Sequence, residues 1–261
     1  LLIGHGVAGH SGRYLADTMI LASFHFDTDK MAMVSIPRDL YVEIEGHRWG
    51  KINNALAFGI EDKVGEKLLI ETVERVTGQT VDYFVRADFD GFKGIVDALG
   101  GITVNVETSF SDYAYPDNNF GYQVASFKKG EQTMDGETAL EFSRSRHGNN
   151  GEGSDFARSK RQQKIMFGIK EKVLSTGTLL NPTRIFALLN SLGETVNTNF
   201  EIWEALSLYE KIQGLSENAI VNKVVDNSPG GLLYLYVGEI DGAYLLSPNA
   251  GMDDFSEIHA L

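Results

Sequence analysis

Apolar residues along this chain fall in short runs separated by glycine, proline and charged turns. Their spacing shifts between the two-residue repeat of strands and the 3.6-residue repeat of helices. Leu1–Ile3 predicts the end of a buried strand, and Gly4–Gly12 a glycine-rich loop. Thr18–Phe26 carries apolar residues on both faces, which suits a strand in the middle of a sheet. Asp27–Lys30 reads as a tight turn, and Met31–Ile36 as a returning strand ended by Pro37. Lys51–Phe58 and Glu61–Val76 predict helices, the second closed by Gly78. Strand Asp82–Ala87, helix Phe89–Leu99 and strand Ile102–Val106 form a compact strand-helix-strand unit, with Gly100–Gly101 at the helix end. Residues 108–126 have no clean period and predict a loop with a short hairpin. Gly136–Phe142, Asp155–Leu174, Pro182–Leu192 and Phe200–Gln213 predict further helices, and Ala219–Val225 a late strand. No repeat or linker interrupts the series, so a single α/β domain over 1–261 is expected.

Length and composition sharpen this picture. A chain of 261 residues with 43% hydrophobic content can bury a core without staples, and it has no cysteine to form any. The 36 acidic residues outnumber the 23 basic ones, for a net charge of -13. A protein reading duplex DNA through a basic face does not have this balance, so nucleic acid is not an expected partner. No apolar stretch approaches the ~18 residues of a membrane span. The chain opens on Leu1-Leu2-Ile3 without a start methionine, which reads as a trimmed N-terminus with an anchor upstream.

Gly4-His5-Gly6-Val7-Ala8-Gly9 satisfies the spacing of a dinucleotide-binding fingerprint, with Asp27 further on. That fingerprint needs a helix starting at the glycines, and the strand Thr18–Phe26 begins too soon for one. A loop needing positive φ is the better reading. His5 and His10 have no third ligand at metal spacing and read as solvated loop histidines.

The charge distribution is more informative than its sum. Between Arg144 and Lys164 lie Arg144, Arg146, Arg158, Lys160, Arg161 and Lys164, against only Glu152 and Asp155. At 100° per residue, Arg158, Gln162, Ile165, Ile169 and Val173 share one stripe of a helix. An inward guanidinium must be satisfied, either by acids or by a bound anion. Several arginines around one pocket favour phosphate, and an Arg–Asp structural network is the alternative. Arg38 follows a buried strand, where α/β sheets place ligands, although a pair with Asp39 would also account for it. Asp17, ahead of the central strand, is a turn residue by itself. Beside a phosphate-binding cluster it becomes a candidate magnesium ligand or general base.

Together these segments resemble the LytR-CpsA-Psr family of bacterial cell-wall enzymes. The matching stretches are Asp17-Thr18-Met19-Ile20-Leu21, Val34–Asp39, Lys51–Ala55, Asp88–Phe92, Val96–Gly101, Leu140–Arg146, and Asp155-Phe156 with Arg158, Arg161, Gln162 and Gln163. They span Leu1 to about Val173, and the remainder is assigned by continuity. The resemblance implies a three-layer α/β/α sandwich on a central mixed sheet, outside the membrane behind one N-terminal span. It implies transfer of an anionic glycopolymer from an undecaprenyl-diphosphate carrier to peptidoglycan, forming a phosphodiester. Arg38, Arg144, Arg146 and Arg158 would hold the pyrophosphate, with Gln162 and Arg161 in support. Asp17 would bind Mg²⁺ or act as base, and Asp17, Arg38 and Arg146 would be the catalytic set. The first loop departs from the family in offering Gly6 or Ser11 where many relatives carry a second aspartate. A carrier-binding scaffold without turnover and a polyprenyl pyrophosphatase are the competing readings.

Overall fold

The computed structural model describes residues 1–7, 12–117, 121–175, 192–212, 215, 219–236 and 244–261. Its contacts group into two compact units. The first comprises Leu1–Asp88, Asn197–Phe200 and Leu215–Leu261; the second comprises Phe89–Val196 and Glu201–Gly214.

The first unit is built on a mixed six-stranded sheet. Its strands, numbered in chain order, are β1 (Leu2–His5), β2 (Ala16–His25), β3 (Lys30–Ile36), β6 (Val85–Asp88), β11 (Val196–Thr198) and β12 (Ile220–Val224). They lie in the order β11-β6-β1-β2-β3-β12. β2 pairs antiparallel with both β1 and β3, while β1–β6 and β3–β12 are parallel. The two-sided apolar pattern of β2 therefore corresponds to an interior position. Two short strands, β4 (Tyr41–Val42) and β5 (Gly50–Lys51), pair beyond β3. Helices α1 (Asn54–Glu61) and α2 (Lys67–Thr77) follow. Buried Leu56, Leu69, Val73 and Val76 join Ile3, Met19 and Ile36 in one core. Each such side chain contributes about 1.5–3 kcal/mol by leaving water. Gly78 ends α2 at φ 67, where its N–H bonds Glu74 O at 2.8 Å.

The second unit holds α3 (Phe89–Ala98), α4 (Gly136–Arg144), α5 (Asp155–Ser175) and α6 (Ile202–Ile212). Strands β7 (Ile102–Val106) and β10 (Gly130–Met134) pair antiparallel, as do β8 (Phe110–Pro116) and β9 (Tyr122–Phe127). Phe110, Phe127 and Phe142 gather in its core, with centroids 5.0–6.0 Å apart, together with Val104, Met134 and Ile165. Aromatic rings at such spacings add to their area burial through edge and offset contacts. Gly168 lets α5 close on β7: a Cβ there would lie 2.9 Å from Thr103 O.

The mixed α/β class and the central mixed sheet agree with expectation. The differences have physical causes. Residues 51–53 pair as strand and turn before α1 begins, because Tyr41 and Lys51 are partners across β4 and β5. The aperiodic stretch 108–126 forms the regular pair β8–β9, whose bulge between Asp112 and Tyr115 shifts the alternation and hides the period. Strand β10 has no apolar alternation to announce it, since Gly-Glu-Gln-Thr-Met is mostly polar and only Met134 is buried. The predicted helix Pro182–Leu192 lies outside the described residues, apart from Leu192.

Candidate functional site: an acid–arginine pair and an arginine cluster

The glycine-rich segment is not a nucleotide loop. Leu2 pairs with Ile20 and Ile3 with Met19 across antiparallel β1 and β2, a geometry without the parallel crossover that a dinucleotide site requires. One expectation is corrected here. His5 is not solvated: it is 4% exposed, and its Nδ1 lies 2.8 Å from both Gly6 O and Arg13 O. Two carbonyl partners identify Nδ1 as the protonated nitrogen, so His5 ties the end of β1 to Arg13, in the turn ahead of Asp17. Its value is invisible in sequence because both partners are backbone atoms. His10 lies outside the described residues.

In the first unit, strand register brings Asp17 and Arg38 together. Met19 is the partner of Ile36 across β2 and β3. Two further steps outward on each chain reach Asp17 and Arg38. Arg38 Nη1 donates to Asp17 Oδ1 at 2.5 Å, with side chains 22% and 32% exposed. Arg38 Nε also lies 3.5 Å from Asp39 Oδ2, and Lys51 Nζ donates to Asp39 Oδ1 at 2.5 Å. Two acids and two bases thus alternate along one line. Sequence reading did not single out Lys51 or Asn53. Asn53 N–H donates to Arg38 O at 3.4 Å, and Asn53 O accepts from Ala16 N–H at 3.1 Å. This residue therefore braces the backbones on both sides of the ion pair. Its Oδ1 is buried and has no hydrogen-bond partner among the described residues, and it makes no helix-cap bond to α1.

In the second unit, Arg144 ends α4 and Arg146 and Arg158 flank the α4–α5 connection. Asp155, the first residue of α5, serves two arginines. It accepts from Arg146 Nε at 3.1 Å and Nη2 at 3.2 Å, and lies 3.0 Å from Arg158 Nη1. The Arg–Asp network weighed from sequence is therefore present. Asp155 orients both guanidiniums through one carboxylate. Arg144 lies 3.9 Å above the Phe89 ring and 5.6 Å from the Tyr115 ring, and donates to Tyr115 Oη at 3.3 Å. Burial pushes the Tyr115 phenol up to about 12, so it stays neutral and accepts this bond. The ring faces hold the guanidinium without cancelling its charge. Gln162 Nε2 reaches Ser143 O at 3.5 Å.

Arg161 has a different environment. Its side chain is 3% exposed; Nε donates to Phe142 O at 2.8 Å, Nη1 to Glu152 Oε2 at 2.6 Å and Glu152 O at 3.0 Å, and Nη2 to Ser145 O. Burial pulls its guanidinium pKa down, against the pull of Glu152. These bonds fasten the α4–α5 connection from inside. Arg161→Met should cost about 3 kcal/mol of unfolding free energy, measured by urea denaturation, because the Glu152 carboxylate and three carbonyls lose their donor.

The residue that shapes the cluster most was not foreseen. Asp112, 1% exposed on β8, accepts from Ser145 Oγ at 2.5 Å and from the backbone N–H groups of Ala114, Arg146 and His147 at 3.0 Å each. It fixes the backbone that carries Arg144 and Arg146. Its position in an apparently aperiodic stretch gave no signal.

Among the described residues, no group of three or more His, Asp or Glu side chains forms a metal cluster. The donor set at Asp17 is one carboxylate with one oxygen engaged by Arg38. Magnesium can use one protein carboxylate when substrate phosphate and water complete its shell, and Asp17 suits that arrangement. The described residues do not form an all-protein cage. Nor is any helix among the described residues long and apolar enough to cross a membrane.

The chain is thus a mixed α/β protein that carries an Asp–Arg ion pair set by strand register and a cluster of arginines around Asp155. The sequence profile of the LytR_cpsA_psr family matches residues 1–248, and the chain belongs to that family. The chain is 33% identical over 234 residues to the Oceanobacillus iheyensis polyisoprenyl-teichoic acid–peptidoglycan teichoic acid transferase TagU, covering 88% of this chain and 68% of the relative. The Bacillus licheniformis protein of the same name is 35% identical over 204 residues, covering 78% of this chain and 60% of the relative. The chain thus spans between three-fifths and about two-thirds of these relatives' lengths. The crystal structure of B. subtilis TagV superimposes with a TM-score of 0.75 at 28% identity, covering 100% of this chain and 93% of that one.

Proposed function

We propose that this chain transfers an anionic glycopolymer from a polyprenyl diphosphate carrier to a hydroxyl of peptidoglycan, outside the cytoplasm. The observation that carries the reading is the Asp17–Arg38 pair at 2.5 Å, formed by two residues that resemble the family's functional positions. The named activity of the TagU relatives supports the chemical class.

The reaction is a displacement at the glycan-bearing phosphorus. The acceptor oxygen forms a new P–O bond as the bond to the bridging oxygen breaks, giving a phosphodiester and polyprenyl monophosphate. The hydroxyl proton leaves to a base. Such a step depends on positioning and charge neutralisation more than on covalent catalysis. Arg38, Arg144, Arg146 and Arg158 are the cations assigned to the diphosphate. Asp155 bridges Arg146 and Arg158, and the Phe89 and Tyr115 rings flank Arg144. Gln162 reaches Ser143 O near the end of α4, and Arg161 positions the connection from within. Asp17 keeps one oxygen on Arg38, leaving the other for magnesium or for the hydroxyl proton. When bound, magnesium would supply charge neutralisation of the phosphates.

Two comparisons separate this reading from its rivals. Magnesium-dependent loss of the diphosphate should be at least ~100-fold slower in Asp17→Ala, the scale of removing a group that stabilises the transition state. No loss of diphosphate in either protein would leave a carrier-binding scaffold, and equal measurable rates would assign the chemistry to a group other than Asp17. A polyprenyl tail should strengthen binding over inorganic pyrophosphate, whereas equal affinities would indicate a general pyrophosphatase.

A further inference from the structure

Asp155 has a place in the arginine cluster that the transfer step itself does not call for. Its carboxylate takes the Nε and Nη2 hydrogens of Arg146, at 3.1 and 3.2 Å. That edge of the guanidinium is one of the forks with which arginine grips phosphate. The same carboxylate lies 3.0 Å from Arg158 Nη1, three residues along α5. A phosphate arriving at Arg146 and Arg158 therefore meets donors that a protein anion already holds.

Neither side of this contact is loosely placed. Asp155 is the first residue of α5, and Ser154 caps that helix: its Oγ accepts from Ala157 N–H at 3.1 Å and its O from Arg158 N–H at 3.0 Å. Farther along the helix, Ile165 is buried in the core of the second unit. The backbone of Arg146 is fixed by its N–H bond to Asp112 at 3.0 Å. Asp155 and Arg146 nonetheless remain open to a ligand, with side chains 37% and 38% exposed, while Arg158 lies deeper.

The chemistry of the reaction gives this standing competitor a use. The donor's diphosphate joins two groups, so each phosphorus carries a single negative charge. The product left behind is a polyprenyl monophosphate, a monoester with about −1.5 to −2 charges on one phosphorus at neutral pH. A clamp of arginines alone would hold that concentrated charge at least as tightly as the donor, and each turnover would end with the site blocked. A carboxylate on the same donors repels the anion and refills the forks as it leaves. Its repulsion is strongest against the more concentrated charge, so it acts on product more than on donor. We propose that Asp155 sets the release of the monophosphate product, by competing with it for Arg146 and Arg158. The identity of the product rests on the transferase reading above; the contacts of Asp155 do not.

The test compares the unmodified chain with Asp155→Asn and Asp155→Glu. Calorimetric titration with a soluble short-chain prenyl monophosphate reads binding without turnover. Asp155→Asn should bind it at least ~10-fold more tightly, the scale of one charge-assisted contact. Asp155→Glu keeps the charge and should stay within about threefold of the unmodified chain. With a polyprenyl-diphosphate-linked glycopolymer and peptidoglycan, Asp155→Asn should lose at least ~5-fold more in steady-state turnover than in a single turnover, because release limits only the former. A purely structural role would weaken monophosphate binding and lower both rates together. Either of those results, or an unchanged affinity for the monophosphate, would overturn the proposal. Failure of the transferase reading shows separately, as no phosphodiester formed by the unmodified chain.

Discussion

Arg38→Ala should lower kcat/KM for glycopolymer transfer by roughly 100-fold or more while leaving the fold intact. A charge-assisted hydrogen bond contributes about 1.5–3 kcal/mol, or roughly ten- to 150-fold in an equilibrium or rate. Arg38 also orients Asp17 at 2.5 Å, so its loss affects two groups at once. Arg38→Lys retains charge but not the planar fork that reaches Asp17 while addressing phosphate, and should recover only part of the activity. The double variant with Asp17→Ala should be little worse than either single one, because each removal already breaks the shared unit. Steady-state kinetics on the four proteins checks this. Additive losses would show that the two residues act independently.

The second large effect is structural. Asp112→Ala leaves one hydroxyl and three backbone N–H donors without their buried acceptor and should cost about 3–4 kcal/mol of stability. Activity should fall with it, because the backbone at Arg146 is one of those donors. Asp112→Asn is milder, since one oxygen remains to accept. The pH dependence follows from the same bonds. Burial alone would raise the Asp112 carboxyl, but the Ser145 hydroxyl and the N–H groups of His147, Ala114 and Arg146 outweigh it and hold the group below its ordinary value. As pH falls, the unfolded chain therefore takes up this proton first. The stabilisation is fully present above the ordinary carboxylate value of about 4 and is lost as pH drops through the lower folded value. Thermal melts should show a steep fall in Tm below about pH 4, with a shallower fall in Asp112→Asn. Parallel pH profiles would remove Asp112 from this role.

Much of the fold was legible because strand and helix periods act locally. β2 showed its interior position through two-sided apolarity, and α2 its end through Gly78. Asp17 and Arg38 could be named from their segments, yet the reason they meet is the register of β2 against β3. The contributions of His5, Asn53 and Asp112 lie in bonds to backbone groups brought near by tertiary structure, which no spacing rule reports. The stripe through Arg158 was readable, but Asp155 as the shared partner of Arg146 and Arg158 depends on how the loop between them folds. Arg161 shows the opposite limit. It shares the basic segment with the other arginines and is buried as Arg158 is, and only its bonds to Glu152 and to carbonyls of the α4–α5 connection mark it as an internal fastener.

The most direct test of the transferase assignment follows phosphorus by NMR during reaction of a polyprenyl-diphosphate-linked glycopolymer with peptidoglycan. The expected result is loss of the diphosphate signals and equal appearance of a phosphodiester on peptidoglycan and polyprenyl monophosphate, both abolished in Asp17→Ala. Inorganic phosphate with no phosphodiester, or a diphosphate that stays bound and unchanged, would contradict it.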